Sequence, residues 1–332
     1  MRVLIVRLGA FGDILHTLPL AADLAAAGHC LGWLCEDRWA CILEGSPAIE
    51  RLHRLPRSLF KAGRSGERLL VLRRLVRELR AAKYDAVIDA QGLAKSALLV
   101  ALSAVRRRVG HVRPRARELS WLISRRRTPA SAAHVIDQQR ALGLALCRAH
   151  GAWRFPLPAW NAERVWASQW MARAGLQRPW QLNVGAGWPT KVWPKQRQIE
   201  FVQIAKSRRI PLLLLWGNHQ EHDLAEEIAA QAGHGVLAPP TAIPQLAGLI
   251  AQGAVLVSGD TGPLHLSLAL GTPAIGLFGP VPAQRNGPRG RGYRTFQAPA
   301  VAWERKDVSR VDLGAIAAAA VADAASAVIA EA

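Results

Sequence analysis

The sequence predicts an α/β protein of two domains facing each other across a cleft. Three observations carry that reading. The chain opens with a strand, a glycine-bearing loop and a helix. Strand-length apolar runs then alternate with helix-forming segments, once through each half. At 332 residues, half of them hydrophobic, the chain is long enough for two domains with cores of their own. The expected organisation is an N-terminal domain over 1–165 and a second domain over 175–312. A helix over 313–332 is expected to pack back toward the N-terminal domain.

Residues 2–8 (RVLIVRL) form the first strand. The run is too short for a signal peptide and is interrupted by Arg7 and Asp13. The loop GAFGDILHTLP (9–19) follows, and then a helix-forming run that Gly28 ends. This is how nucleotide-binding α/β domains begin, but the loop is not G-x-G-x-x-G. It also carries an acid, Asp13, that would repel a pyrophosphate. Further strands are expected at 30–36 and 84–89, with a helix over 93–103. Residues 67–83 place apolar side chains at 69, 72, 75, 76 and 79, a helical period, with arginine on the other face. Such a helix either packs on a sheet or lies on a membrane. In the second half, strands are expected at 181–184, 211–216, 254–258 and 274–278. Helices are expected at 161–174, 196–207, 220–232, 243–251, 263–270 and, in the alanine-rich tail, 313–331.

The net charge of +19 is uneven. Residues 51–130 hold 21 of the 43 Lys+Arg against five Asp+Glu, a local net of +16. Nucleic acid, an anionic membrane surface and an acidic substrate all suit such a stretch. No run of eighteen uncharged apolar residues reads as a transmembrane helix. The four cysteines form no CxxC and have no zinc-like spacing with histidine, so they read as reduced thiols.

Three segments carry chemistry. VSGDTGPLH (257–265) follows a strand and starts a helix, with Pro263 suited to the first turn and Asp260 or Thr261 able to cap it. Gly262 lets backbone approach a ligand closely, and the helix start favours an anion such as a diphosphate. His265, four residues after Thr261, is expected to face the same site. NVGAGWPTKVWP (183–194) presents Lys191 as a point charge for a phosphate that gains charge on leaving. In WGNHQEH (216–222), Glu221 stands just past a strand end, where an acid can accept from ribose hydroxyls or simply favour a helix start.

These pieces resemble the lipopolysaccharide heptosyltransferases, glycosyltransferase family nine. The matching stretches are MRVLIV (1–6), GDILHTLP (12–19), YDAVIDAQGLAKSA (84–97), KVWP (191–194), WG-x-x-x-E (216–221) and DTGPLH (260–265), in family order and across nearly the whole chain. The resemblance implies a GT-B fold of two Rossmann-like domains. It implies transfer of heptose from ADP-heptose to Kdo on lipid A, inverting at the anomeric carbon, with no metal and no cofactor. Asp13 matches the general base. Lys191, Thr261 and Gly262 would hold the leaving ADP, and Asp260, Glu221 and His265 complete the donor site. Arg73, Arg74, Arg77 and Lys95 are expected to meet the acidic acceptor or the anionic inner-membrane surface. The implied setting is the cytoplasmic face of that membrane, peripherally bound, with no specific nucleic-acid partner. GAGW (185–188) and Gly9-Ala10 replace hydroxyl residues of the family pattern, and the runs at 106–108 and 125–127 are rich in arginine. The acceptor therefore stays open between the first and a later core heptose. An NAD oxidoreductase would need the missing G-x-G-x-x-G spacing, and a nucleic-acid-binding protein rests on charge alone.

Overall fold

A computed structural model of the chain describes residues 1–56, 65–112, 118, 120–124, 126–128, 132–147, 151–299 and 312–331. The chain divides into two compact units, Met1–Ala159 and Trp160–Ala332. The division falls before the expected boundary near 165, because the helix starting at Asn161 packs within the second unit.

The first unit runs β1 (Arg2–Val6), α1 (Phe11–Ala26), β2 (Cys30–Glu36), β3 (Arg51–Leu55), α2 (Ser65–Ala81), β4 (Ala86–Asp89), α3 (Ala94–Leu102), β5 (Arg107–His111), β6 (Arg126–Thr128) and α4 (Val135–Gly143). Its strands form one parallel sheet in the order β3-β2-β1-β4-β5-β6. The second unit runs α5 (Asn161–Arg173), β7 (Trp180–Asn183), α6 (Lys195–Ser207), β8 (Leu212–Leu215), α7 (His219–Ala232), β9 (Val236–Leu237), α8 (Ile243–Gln252), β10 (Val255–Gly259), α9 (Gly262–Leu270), β11 (Ala274–Phe278), α10 (Ala283–Asn286), β12 (Tyr293–Gln297) and α11 (Ala318–Glu331). Its sheet is also parallel, in the order β12-β11-β10-β7-β8-β9.

Counted from its own first strand, each sheet has the doubly wound order 3-2-1-4-5-6. In that order the chain moves outward one way from the first strand and the other way from the fourth. The loops after those two strands therefore part, leaving a crevice at the carboxyl end of the sheet. The crevice falls between β1 and β4 in the first unit and between β7 and β10 in the second.

Side chains alternate along each strand, so each sheet needs cover on both faces. In the first unit Leu4, Val6, Leu34, Leu55 and Val87 pack under Leu75 and Leu79 of α2 and Leu99 and Val100 of α3. α1 and α4 pack on each other, held by the buried pair in which Arg140 donates from Nε (2.6 Å) and Nη2 (3.1 Å) to Asp23. In the second unit α11 buries Val321, Ala322, Ala325 and Val328 in the core beside Phe201 and Val202 of α6. The expectation that this helix packs toward the N-terminal domain is thereby corrected. Its small and β-branched stripe fits against α6 and the sheet of its own unit.

Strands β3, β5, β6, β9 and β12 went unread in the sequence. β3, β6, β9 and β12 are edge strands, which need no continuous apolar run, while β5 lies one strand in from the edge and is interrupted by arginines. The arginine run at 106–108 leads into β5, where Arg107 Nη2 donates to the Ala145 carbonyl (2.5 Å) and Arg108 Nε to that of Val105 (2.8 Å). Arg125 lies outside the described residues, while Arg126 and Arg127 begin β6. Among the described residues no helix is long and apolar enough to cross a membrane.

The arginine-faced helix α2 is tied to the sheet by a polar clamp. His53 on β3 is fully buried, with Nδ1 2.6 Å from Glu78 on α2 and Nε2 2.6 Å from the Tyr84 hydroxyl. Burial lowers the pKa of His53 below its ordinary value, and Glu78 opposes that only in part. Burial also pushes Tyr84 up to about 12, so its hydroxyl stays a donor to a neutral imidazole. The folded state thus resists a proton that the unfolded chain accepts near pH 6.5. Stability should fall as pH drops below about 6.5, by at most about 1.4 kcal/mol per unit from this residue. Urea unfolding at several pH values should show that slope in the wild type and a shallower one in His53→Gln.

Candidate active site

In the second unit the site is built from the loops after β7, β8 and β10. Gly259 ends β10, and a Cβ there would lie 2.3 Å from the Lys191 carbonyl oxygen. Only glycine admits that crossing. It lets the loop after β7 pass over the end of β10 and bring Lys191 to Asp260. Lys191 Nζ donates to the Asp260 carboxylate (2.6 Å) and to its carbonyl (3.0 Å). Both side chains are largely buried, at 15% and 3% exposure. His265 Nε2 stands 3.2 Å from the other carboxylate oxygen, and Asn286 Nδ2 approaches both oxygens at 3.4–3.5 Å. Burial alone would raise the Asp260 pKa. The His265 hydrogen bond and the charge of Lys191 outweigh it and hold the carboxyl well below the usual carboxylate range.

Asn183 at the end of β7 stitches the two loops together. Its Nδ2 donates to the Gly185 carbonyl (2.8 Å), to Ser258 Oγ (3.2 Å) and to Thr261 Oγ1 (3.4 Å). Thr261 is the N-cap of α9, but its hydroxyl meets Ser258 Oγ at 3.0 Å and makes no cap bond. Asp260 does not cap either. The first turn of α9, from Gly262, therefore has no side-chain acceptor supplied by its own cap, and its N–H groups and positive dipole end remain suited to an anion.

Glu221 comes from the first turn of α7, capped by Asn218. Its Oε2 accepts from Gly217 N (2.7 Å). Its carboxylate lies over Gly185, where a Cβ would come within 2.1 Å of Glu221 Cδ. The missing side chain at Gly185 is thus the space that Glu221 occupies.

In the first unit the corresponding crevice holds Asp13. It is the third residue of α1, and its Oδ2 accepts from Ala10 N (3.3 Å) and pairs with Arg7 Nη2 (2.6 Å). Arg7 is buried, and its Nη1 donates to the Ala90 carbonyl in the loop after β4 (2.5 Å). Gln91 Oε1, from the same loop, accepts from Leu8 N and Gly9 N. Asp13 itself stays 42% exposed, open enough to meet a substrate hydroxyl.

Lys191, Asp260, Thr261, Gly262 and His265 converge, and Glu221 joins them through the Gly185 loop. Asp260 and His265, however, face inward and brace Lys191, because a buried carboxylate needs cationic partners more than it can serve a ligand. Lys95 on α3 is likewise engaged: Nζ donates to Glu36 Oε1 (2.8 Å), whose other oxygen takes Arg38. Arg73, Arg74 and Arg77 are exposed on α2. Arg7, Gln91, Asn183 and Asn286 were missed, since a lone polar residue carries no sequence signal of its own.

The family model for "Glycosyltransferase family 9 (heptosyltransferase)" matches residues 72–313, most of the chain. The chain belongs to this family. Lipopolysaccharide heptosyltransferase 1 of Pseudomonas aeruginosa is 32% identical over 301 residues, covering 88% of this chain and 82% of the relative. The structure of Escherichia coli heptosyltransferase WaaC with ADP is similar at a TM-score of 0.81 and 27% identity, covering 99% of this chain and all of that one. The same enzyme with ADP-2-deoxy-2-fluoro heptose is similar at 0.78 and 27%, covering 98% and 99%. The family-9 chain is a glycosyltransferase of GT-B fold.

The buried pair makes a direct prediction. Asp260→Asn strands a nearly buried ammonium and should cost the second unit about 3–5 kcal/mol in urea unfolding. Because the folded carboxyl is held low, its stabilisation is complete above the unfolded value near pH 4 and is lost as pH falls from there. The deficit of the variant should therefore be full at neutral pH and shrink below about pH 4.

Proposed function

We propose that the protein transfers heptose from ADP-heptose to the Kdo sugar of Kdo–lipid A in lipopolysaccharide core synthesis, inverting at the anomeric carbon and requiring no metal. The observation that carries this reading is the Lys191 ammonium, fixed by Asp260 beside the free first turn of α9. Two of its three N–H groups are used by Asp260, which leaves one for a phosphate oxygen. The likeness to a heptosyltransferase crystallised with ADP supports the same ligand here.

In this reading the acceptor hydroxyl attacks the anomeric carbon as its proton passes to the Asp13 carboxylate. The new C–O bond forms on the face opposite the bond to phosphate. That bond breaks, and its electron pair leaves with ADP. General-base help of this kind contributes roughly 10²–10⁴ in rate. Arg7 aims Asp13 without covering it. Lys191 and the N–H groups of Gly262 and Leu264 take up the charge that develops on the diphosphate, each such donor being worth roughly 10²–10³. Glu221 has one oxygen committed to Gly217 and offers the other to ribose hydroxyls. A lysine and a helix start provide the counter-charge that a metal ion supplies in other transferases.

The test is incubation with ADP-heptose and Kdo-bearing lipid A, beside an acceptor that already carries one heptose, following ADP release and product mass. Transfer to the first acceptor is expected. Asp13→Asn should lower kcat at least about a hundredfold with KM for the donor little changed. Transfer only to the heptosylated acceptor would move the protein to a later core step. Transfer to neither would overturn the substrate assignment.

A further inference from the structure

We propose that Asn183 binds the donor directly, its amide oxygen accepting a hydrogen bond from a sugar hydroxyl of the nucleotide-sugar. The inference rests on the donor reading given above and adds to it a residue that no sequence motif marked.

Asn183 is the last residue of β7, at the carboxyl end of the sheet, where the crevice toward β10 opens. The Gly185 carbonyl decides which way its amide turns. A carbonyl oxygen 2.8 Å away can face only an N–H, so the nitrogen is the end that meets it. The same nitrogen has Ser258 Oγ at 3.2 Å and Thr261 Oγ1 at 3.4 Å. Its two hydrogens are thereby taken up within the protein. The amide group is planar, so anchoring the nitrogen also fixes the oxygen.

That oxygen is unused. Asn183 is partly exposed, and its Oδ1 accepts no hydrogen bond among the described residues. Gln181, two residues earlier on the same strand, gives the contrast. It is fully buried, its Nε2 donates to the Leu249 carbonyl (2.7 Å), and its Oε1 is enclosed. Asn183 instead stands where a doubly wound sheet takes its ligand.

The neighbours define the group that the oxygen takes. Lys191 and the first turn of α9 present N–H groups, which suit phosphate oxygens. Asn183 presents an acceptor beside those donors. A phosphate oxygen has no hydrogen to give it, whereas a sugar hydroxyl does. A nucleotide-sugar carries such hydroxyls on both sides of its diphosphate, on the ribose and on the transferred sugar. As a stitch between loops alone, Asn183 would need only its nitrogen.

The test is calorimetric titration of full-length wild type and Asn183→Ala with ADP, 2′-deoxy-ADP, 3′-deoxy-ADP and ADP-heptose, with folding checked by urea unfolding. If the partner is a ribose hydroxyl, wild type should lose about three- to tenfold in affinity for one deoxy nucleotide, and Asn183→Ala should not distinguish that nucleotide from ADP. If the partner is on the transferred sugar, the ratio of ADP-heptose to ADP affinity should fall about three- to tenfold in the variant. Asn183→Ser, whose hydroxyl stops short of the amide oxygen, should read the same and serves if the alanine variant does not fold. Ser258→Ala loosens the stitch but keeps Oδ1, and should shift all the ligands alike. Variants of Asn183 that weaken every ligand equally, with both ratios kept, would overturn the proposal and leave the transfer reading standing. Changed ratios without heptose transfer to any acceptor would sink the transfer reading and leave the Asn183 contact standing. Failure of folded wild type to bind any of the nucleotides would overturn both.

Discussion

The buried pair between Lys191 and Asp260 is the interaction on which the second unit's site depends. Neither charge is tolerable alone at that depth, because desolvation of an unpaired ion costs several kcal/mol. Paired, they lock the loop after β7 to the loop after β10. The absence of a side chain at Gly259 lets the loops cross, and Asn183 ties them again through Ser258 and Thr261. His265 and Asn286 complete the shell around the carboxylate. The result is a cation held still at the mouth of a helix N-terminus. A preorganised charge of this kind stabilises developing negative charge without having to reorganise first.

The two units solve the same topological problem with opposite signs. Each leaves a crevice where its doubly wound sheet reverses direction. The second unit clamps an ammonium with a carboxylate; the first clamps a carboxylate with a guanidinium. Arg7 is buried and holds the Ala90 carbonyl with one nitrogen and Asp13 with another, so it joins the loops after β1 and β4 as Lys191 joins those after β7 and β10. Asp13 nevertheless keeps much of its surface exposed, whereas Asp260 keeps almost none. That difference leaves the Asp13 carboxylate open to solvent and the Asp260 carboxylate enclosed by its partners.

Much of this was legible in the residues, and the failures have physical reasons. Central strands such as 212–215 (LLLL) announce themselves, because burial on both faces demands a continuous apolar run. β3 and β5 hide behind arginines that find carbonyl or carboxylate partners at the sheet margins. Motif spacing located Asp260, Thr261 and His265 together, but spacing does not say which way a side chain turns. Burial decided that, sending Asp260 inward to Lys191. Lys95, expected to meet the acceptor or the membrane surface, has an acidic partner distant in sequence, Glu36 on β2. The C-terminal helix was placed on the wrong unit because its alanine-rich stripe suits any apolar surface. Only the packing against α6 selects one.

The most direct measurement is calorimetric titration of the folded protein with ADP and with AMP, in wild type and Lys191→Met. If the fixed ammonium receives the β-phosphate, wild type should bind ADP at least about tenfold more tightly than AMP, in line with a charge-assisted hydrogen bond of about 1.5–3 kcal/mol. Lys191→Met should abolish most of that difference while leaving AMP affinity nearly unchanged. Retention of the full ADP preference in a folded Lys191→Met protein would contradict the role given to the Lys191–Asp260 pair.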